Sequence, residues 1–399
     1  MELIKPGQVF DFMKYRKPAV LISTLMVAAS IASLFWPGPK LGIDFAGGTE
    51  VQLQFQGDVG TGELRALVEE LGYSSPDVIA VQGHPNQYLL RVSEVSSLPA
   101  GVTEASITAA VDEAIEAGVV STRVSPGGDK VSIRLDNTGD LTALRAGLEA
   151  AGVEVRGDVR QFGPESAFRY EADLVGVADS LVGQLTERLG ERGPASPLRI
   201  EWVGPRAGEQ LRNGAIKALL YTMGLIMLFV AFRFDLRFAP GGVIALIHDA
   251  VITVGVFVVI GKEFNLTTVA SLLTIIGYSI NDTIVIYDRI RENMARYRDK
   301  DLAELINIST SEMLSRTIIT SSVTLLAIVP FFIWGTQTIS DIALALFIGF
   351  LAGVYSTIYI ASPVTEWMDA HFFRAAREAR RARTRAKRAA EKLDKPVSA

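Results

Sequence analysis

Four ionisable residues stand inside, or at the mouth of, long apolar runs. His248 and Asp249 lie in ALIHDAVIT, Asp282 in GYSINDTIVIYDRIREN and Arg316 in SRTIITSSVTLL. A charge at the centre of a spanning helix costs about 2.5–3.5 kcal/mol on insertion scales, so such residues pair, titrate or hold helices together. Asp282 is the leading candidate for a proton-titrating site. Tyr278 and Ser279 stand four and three residues before it and share its helical face, with Asn281 at the edge. Ile276, Ile280 and Ile284 form the opposite, apolar face. Arg316 falls at the mouth of the next, antiparallel run. An arginine whose distance from the carboxylate changes between two states would switch the acid between its two forms, which makes Asp282 and Arg316 a candidate proton relay. The alternative is a carboxylate that only glues helices, with Arg316 a flanking charge. His248 and Asp249, with Tyr278, Ser279 and Asn281, form a secondary intramembrane polar site, read first as helix pairing. Adjacent residues do not face each other on a helix, so these two are not expected to form a dyad.

The runs that carry these residues are long enough to cross a bilayer. They are 18–36, 215–232, 241–260, 266–287, 317–334 and 342–363. The first could be a signal peptide, since Lys14, Arg16 and Lys17 precede it and AASIAS lies within it. It is longer than a usual signal core and ends in Phe35–Trp36, so a retained helix is the better reading. Basic residues flank the runs on alternate sides: Arg233 and Arg237, then Arg289 to Lys300, then the tail RAAREARRARTRAKR. The loops GKEFN and GTQTISD carry only Lys262. By the positive-inside rule both termini are cytoplasmic and segment 37–210 is extracytoplasmic. Residues 288–315 read as a cytoplasmic amphipathic helix, or helix pair, along the membrane surface.

Of the 399 residues 49% are hydrophobic and 21% charged, which fits a membrane protein with a sizeable aqueous part. There is no cysteine, so disulfides, metal-thiolate sites and a cysteine nucleophile are excluded. Neither a phosphate-binding GxxxxGK[ST] loop nor a dinucleotide turn occurs. No enzyme activity, metal or cofactor is expected; the proton is the expected coupling ion.

Segment 37–210 contains a repeat. GGTEVQLQF and TGELRALVEELGY correspond to GGDKVSIRL and TGDLTALRAGLEAAG, and each pair is followed by two short strands, a helix and a closing strand. Twice-repeated β-α-β-β-α-β order predicts two ferredoxin-like modules in succession, 37–126 and 127–210. The full division is then a cytoplasmic N-terminus (1–17), the first span (18–36), the two modules, a domain of five further spans (211–365) and a basic cytoplasmic tail (366–399). Because that tail is basic, an anionic-lipid or ribosome-facing contact is expected for it, not a specific nucleic-acid site.

Six collinear stretches resemble the SecF family of the SecD/SecF protein-export complex: LGIDFAGGTEV (41–51), VGPRAGEQL (203–211), ALIHDAVIT, GYSINDTIVIYDRIREN, SRTIITSSVTLL and GVYSTIYIASPV. The resemblance covers most of the chain. It implies half of an RND-type transporter fold, six membrane helices with an α+β insertion after the first. It further implies work with SecD and the SecYEG translocon with its auxiliary subunits, in the cell inner membrane. There the proton motive force would drive late translocation and release of unfolded polypeptides. Family functional positions fall on Asp282 and Arg316. The usual family insertion is a single ferredoxin-like unit, so a second module is a departure. The rival reading is a proton-coupled RND-type exporter of small molecules or lipids; a third is a scaffold that recruits partners.

Overall fold

The computed structural model describes residues 7–373 except Ser75, Gln82, Ala100 and Asp235. The basic tail expected to meet lipid lies almost wholly outside the described residues. The chain divides into two units, Leu41–Asn213 and the remainder.

In chain order the elements are α1 (Arg16–Phe35), β1 (Gly48–Gln54), α2 (Thr61–Glu70), β2 (Asp77–Ala80) and β3 (Gln87–Val92). Then come α3 (Glu104–Ala114), β4 (Val119–Val124), β5 (Lys130–Leu135), α4 (Leu141–Ala150), β6 (Val155–Gln161) and β7 (Arg169–Leu174). The soluble unit ends with α5 (Val177–Leu189) and β8 (Arg199–Val203). The remaining helices are α6 (Pro205–Arg233), α7 (Ala239–Val259), α8 (Leu266–Arg296), α9 (Leu302–Trp334), α10 (Gln337–Ser356) and α11 (Ser362–Phe372), with a π-helical turn, Thr357–Ala361, before α11.

The soluble unit holds two four-stranded antiparallel sheets, ordered β2-β3-β1-β8 and β4-β5-β7-β6. Both have the ferredoxin-like strand order, but the modules are not successive. The closing strand β8 pairs with β1 of the first module, Val51 opposite Ile200. Helix α5 follows it: Val177, Ala178, Leu181 and Leu185 pack with Val51, Leu53 and Leu90. In return Ile107 and Val111 of α3 pack on Val131, Ile133 and Tyr170 of the second sheet. The second module is therefore one continuous insert, α3 to β7, between β3 and α5 of the first, and the expected boundary at 126/127 is corrected. The cause is local. SPGGD (125–129) closes a tight hairpin, in which the Ser125 amide donates to the Lys130 carbonyl (2.8 Å) and the Gly128 amide to the Ser125 carbonyl (2.9 Å). A turn of that kind pairs β4 with its next neighbour β5 and leaves β1 open for β8. The insert's two ends lie together, since the Ser97 hydroxyl donates to the Val175 carbonyl.

Among the described residues six helical segments are long and apolar enough to span a membrane. Their ends sort into two sets. Lys262 and Asp341, from GKEFN and GTQTISD, form an ion pair at 2.6 Å. At the opposite ends Arg16 meets Glu366 (3.2 Å), Arg237 meets Asp369 (3.0 Å) and Arg291 donates to the Arg233 carbonyl (3.2 Å). Residues 288–315 are not a separate surface helix pair. They extend α8 and begin α9, because no glycine or proline interrupts either helix there. Arg289 bonds Glu312 (2.7 Å) and Asn293 bonds Ser309 (3.0 Å) across that hairpin.

Candidate functional site

Helix α8 starts where Asn265 and Thr268 cap it reciprocally, the Asn265 side chain accepting from the Thr268 amide at 2.9 Å. This start sets which residues face which neighbour along the helix. Ile276 and Ile280 turn into the apolar core with Leu246, Tyr287 and Ile306.

The polar residues before Asp282 divide between neighbours instead of forming one stripe toward α9. Tyr278 does face α9: its hydroxyl bonds Thr324 Oγ1 at 3.0 Å, and its ring lies 4.2 Å from that of Phe350. Ser279 turns to α7, where its hydroxyl donates to Asp249 Oδ2 at 2.6 Å. Asn281 is exposed on the surface of the unit, as are Thr274 and Gly277 on the same side of α8.

Asp249 is fully buried. Its carboxylate accepts from Ser279, from Ser356 (2.9 Å) and lies 3.0 Å from His248 Nδ1. The adjacent pair therefore does meet, which corrects the expectation from helical spacing. The i,i+1 rule separates directions of projection; the Nδ1 atom lies close enough to its own backbone to reach a neighbouring carboxylate. The His248 ring stacks toward Tyr355 at 6.2 Å. Tyr355 in turn donates to the Ala19 carbonyl (2.8 Å) and accepts from Ser23 (3.2 Å). One polar network thus joins α1, α7, α8 and α10. It sits where α10 gives way to the π-helical turn, a feature often found at functional sites.

Two small residues on α10 permit this approach. A Cβ on Gly349 would fall 2.4 Å from the Ile275 side chain, and one on Gly353 would fall 3.1 Å from Ser279. The sequence pointed to these glycines as a close-packing face, and α8 is what they pack against.

Asp282 is the opposite case. It is 8% exposed, and among the described residues its carboxylate has no hydrogen bond or ion pair. Arg316 on α9 acts on it electrostatically without forming a contact pair. Arg316 itself is exposed. Asp249 is held by partners on three helices, His248 on α7, Ser279 on α8 and Ser356 on α10. Among the described residues Asp282 has no such tether, and the exposed Arg316 guanidinium is the charge that acts on it. Among the described residues no group of three His, Asp or Glu could hold a metal.

Residues 185–371 match the family of protein export membrane proteins SecD/SecF, C-terminal part, and residues 32–59 match the SecD/SecF GG motif. The chain is 35% identical to protein translocase subunit SecF of Magnetococcus marinus, over 92% of its own length and 95% of that protein. It is 40% identical to protein translocase subunit SecDF of Thermus thermophilus over 61% of its length, which is 34% of that longer protein. The crystal structure of that SecDF, a translocon-associated membrane protein, superposes with a TM-score of 0.60 at 29% identity, covering 90% of this chain and 38% of the other.

Proposed function

Because the chain belongs to the SecF family of protein translocase subunits, we propose that it couples proton movement to a late step of protein export. Asp282 carries the proton and Arg316 is the cation that biases its release. A SecD-like six-span partner completes the path, and the polypeptide is drawn across or released on the far side of the inner membrane.

The observation that carries this reading is the buried carboxylate of Asp282 near Arg316, neither side chain having a hydrogen bond or ion pair among the described residues. Support for a partner comes from the same helix. Thr274, Gly277 and Asn281 leave a small, polar face of α8 uncovered at membrane depth, and faces of that kind favour helix association. In the Thermus thermophilus relative the corresponding segment is part of one longer SecDF chain, of which it makes up about a third, and this supports a SecD-like partner. The tighter network around Asp249 is read as the frame that fixes α8, and so Asp282, against α7 and α10.

The test is Asp282→Asn in inverted membrane vesicles or proteoliposomes with the translocon and the partner subunit. The variant inserts and binds its partner normally, and the proton-dependent part of export disappears. Proton-dependent export equal to that of the unaltered protein would sink the reading and leave Asp282 a helix-joining group.

A further inference from the structure

The two family models match up to residue 59 and again from residue 185, so the insert Glu104–Leu174 lies wholly between these two matches. Among the described residues one face of its sheet packs on helices, and the other carries the exposed Arg123, Arg134 and Arg169. Val131, Ile133, Leu135, Tyr170, Ala172 and Leu174 turn inward against α3 and α4. Alternation turns Lys130, Arg134, Arg169, Glu171 and Asp173 outward.

Strand register arranges the outward residues in rows. One row runs Arg123, Ser132, Glu171, Arg160. The next runs Ser121, Arg134, Arg169, and Phe162 closes it, its amide donating to the Arg169 carbonyl at 2.8 Å. Several bases on this face have acids: Lys130 meets Glu171 (3.9 Å), Arg160 meets Asp173 (3.4 Å) and Arg156 meets Asp179 (2.6 Å). Arg123, Arg134 and Arg169 do not. All three are exposed, and among the described residues none makes a side-chain hydrogen bond or ion pair. Arg134 and Arg169 stand directly opposite each other, a like-charge pair that works against the sheet. Beside them Phe162 is 51% exposed. The chain as a whole carries a net charge of -5, so this basic face is not its average surface.

We propose that the Arg134–Arg169 row is a docking surface for an extended acidic polypeptide segment. Guanidinium forks take carboxylates in bidentate fashion. Opposed residues on paired strands stand about 5 Å apart at Cβ, and alternate side chains of an extended peptide recur at about 6.7 Å, within reach of two flexible arginines. Two acids on one side of such a peptide relieve the repulsion between Arg134 and Arg169, and an apolar neighbour rests on Phe162. This deepens the export reading and depends on it only for which polypeptide arrives; the contact itself involves no group of the membrane unit.

The experiment measures fluorescence anisotropy of a labelled poly-glutamate peptide titrated with the full chain in uncharged nanodiscs. Arg169→Glu turns the opposed pair into an attractive one, so folding is not at risk. Its Tm stays level or rises, while affinity for the peptide falls by about tenfold or more, the equivalent of one broken charged contact. Binding to the unaltered chain weakens as salt rises. Equal affinity for both proteins overturns the proposal. The titration is repeated in nanodiscs that carry phosphatidylglycerol: loss of peptide binding there by the unaltered chain but not by Arg169→Glu would make the face a lipid contact and overturns the proposal as well. Export is not part of the readout, so failure here is seen separately from failure of the proton-coupled reading.

Discussion

Asp249 and Asp282 lie on neighbouring helices and differ in what holds them. Asp249 gathers two serine hydroxyls and an imidazole; Asp282 has only the distant influence of Arg316. Substitutions should separate the two roles. Asp249→Asn leaves one set of these partners facing an amide NH2 that cannot accept, and should destabilise the membrane unit by about 1–3 kcal/mol, read as a lower unfolding midpoint in mild detergent. Arg316→Lys should leave that midpoint alone and lower proton-dependent export, because lysine keeps the charge but loses the planar fork. Full export activity in Arg316→Lys would reduce the arginine to a flanking charge. Asp282 was legible in the sequence because its apolar surroundings make a carboxylate conspicuous. Of the Asp249 network, His248 and Ser279 belong with it to the one polar site legible in the sequence; Ser356 and Tyr355 were not legible, since they are ordinary residues of α10 whose approach is set by glycines 349 and 353.

The elements around these residues depend on a few close approaches. Gly47 and Gly48, at the entry to β1, have φ of +78° and +123°, and a Cβ on Gly48 would lie 2.4 Å from the Val92 carbonyl oxygen. Gly208, at the start of α6, comes up against the same bend: a Cβ there would meet the Gly47 amide nitrogen at 3.2 Å. The stretches LGIDFAGGTEV and VGPRAGEQL, far apart in sequence, thus meet at their glycines. Gly48→Ala should cost about 1–3 kcal/mol of backbone strain before the steric clash is counted, measurable as earlier thermal unfolding of the soluble unit. Strands, helices and spans could be placed from periodicity because hydrophobic period is a local property. Which strand closes which sheet could not, because β1 and β8 are separated by the whole insert. The one available clue was SPGGD, a hairpin turn standing where a domain boundary was expected.

At the scale of the whole molecule, the span ends fall into the two sets that basic-residue counting expects, with Lys262 and Asp341 joined in one and Arg16 and Glu366 in the other. A chain without cysteine makes the sides easy to assign. A cysteine at Thr338 should react with a membrane-impermeant maleimide in intact cells whose outer membrane has been made permeable. One at Arg298 should react only after the inner membrane is opened. The reverse pattern would invert the proposed orientation and put the soluble unit on the wrong side for a role after translocation.

The nesting of one module inside the other also sets an order of assembly. As the chain is made, β1, α2, β2 and β3 appear first, yet their sheet lacks α5 and its edge strand until Val203 has followed. The insert has every one of its strands and both its helices once Leu174 is present. Its contacts are short-range and its hairpin is local, so it can close while the outer module still waits for its last strand. The younger part of the chain matures before the older part, and the Ser97–Val175 contact at its base then brings α5 and β8 back to the open sheet.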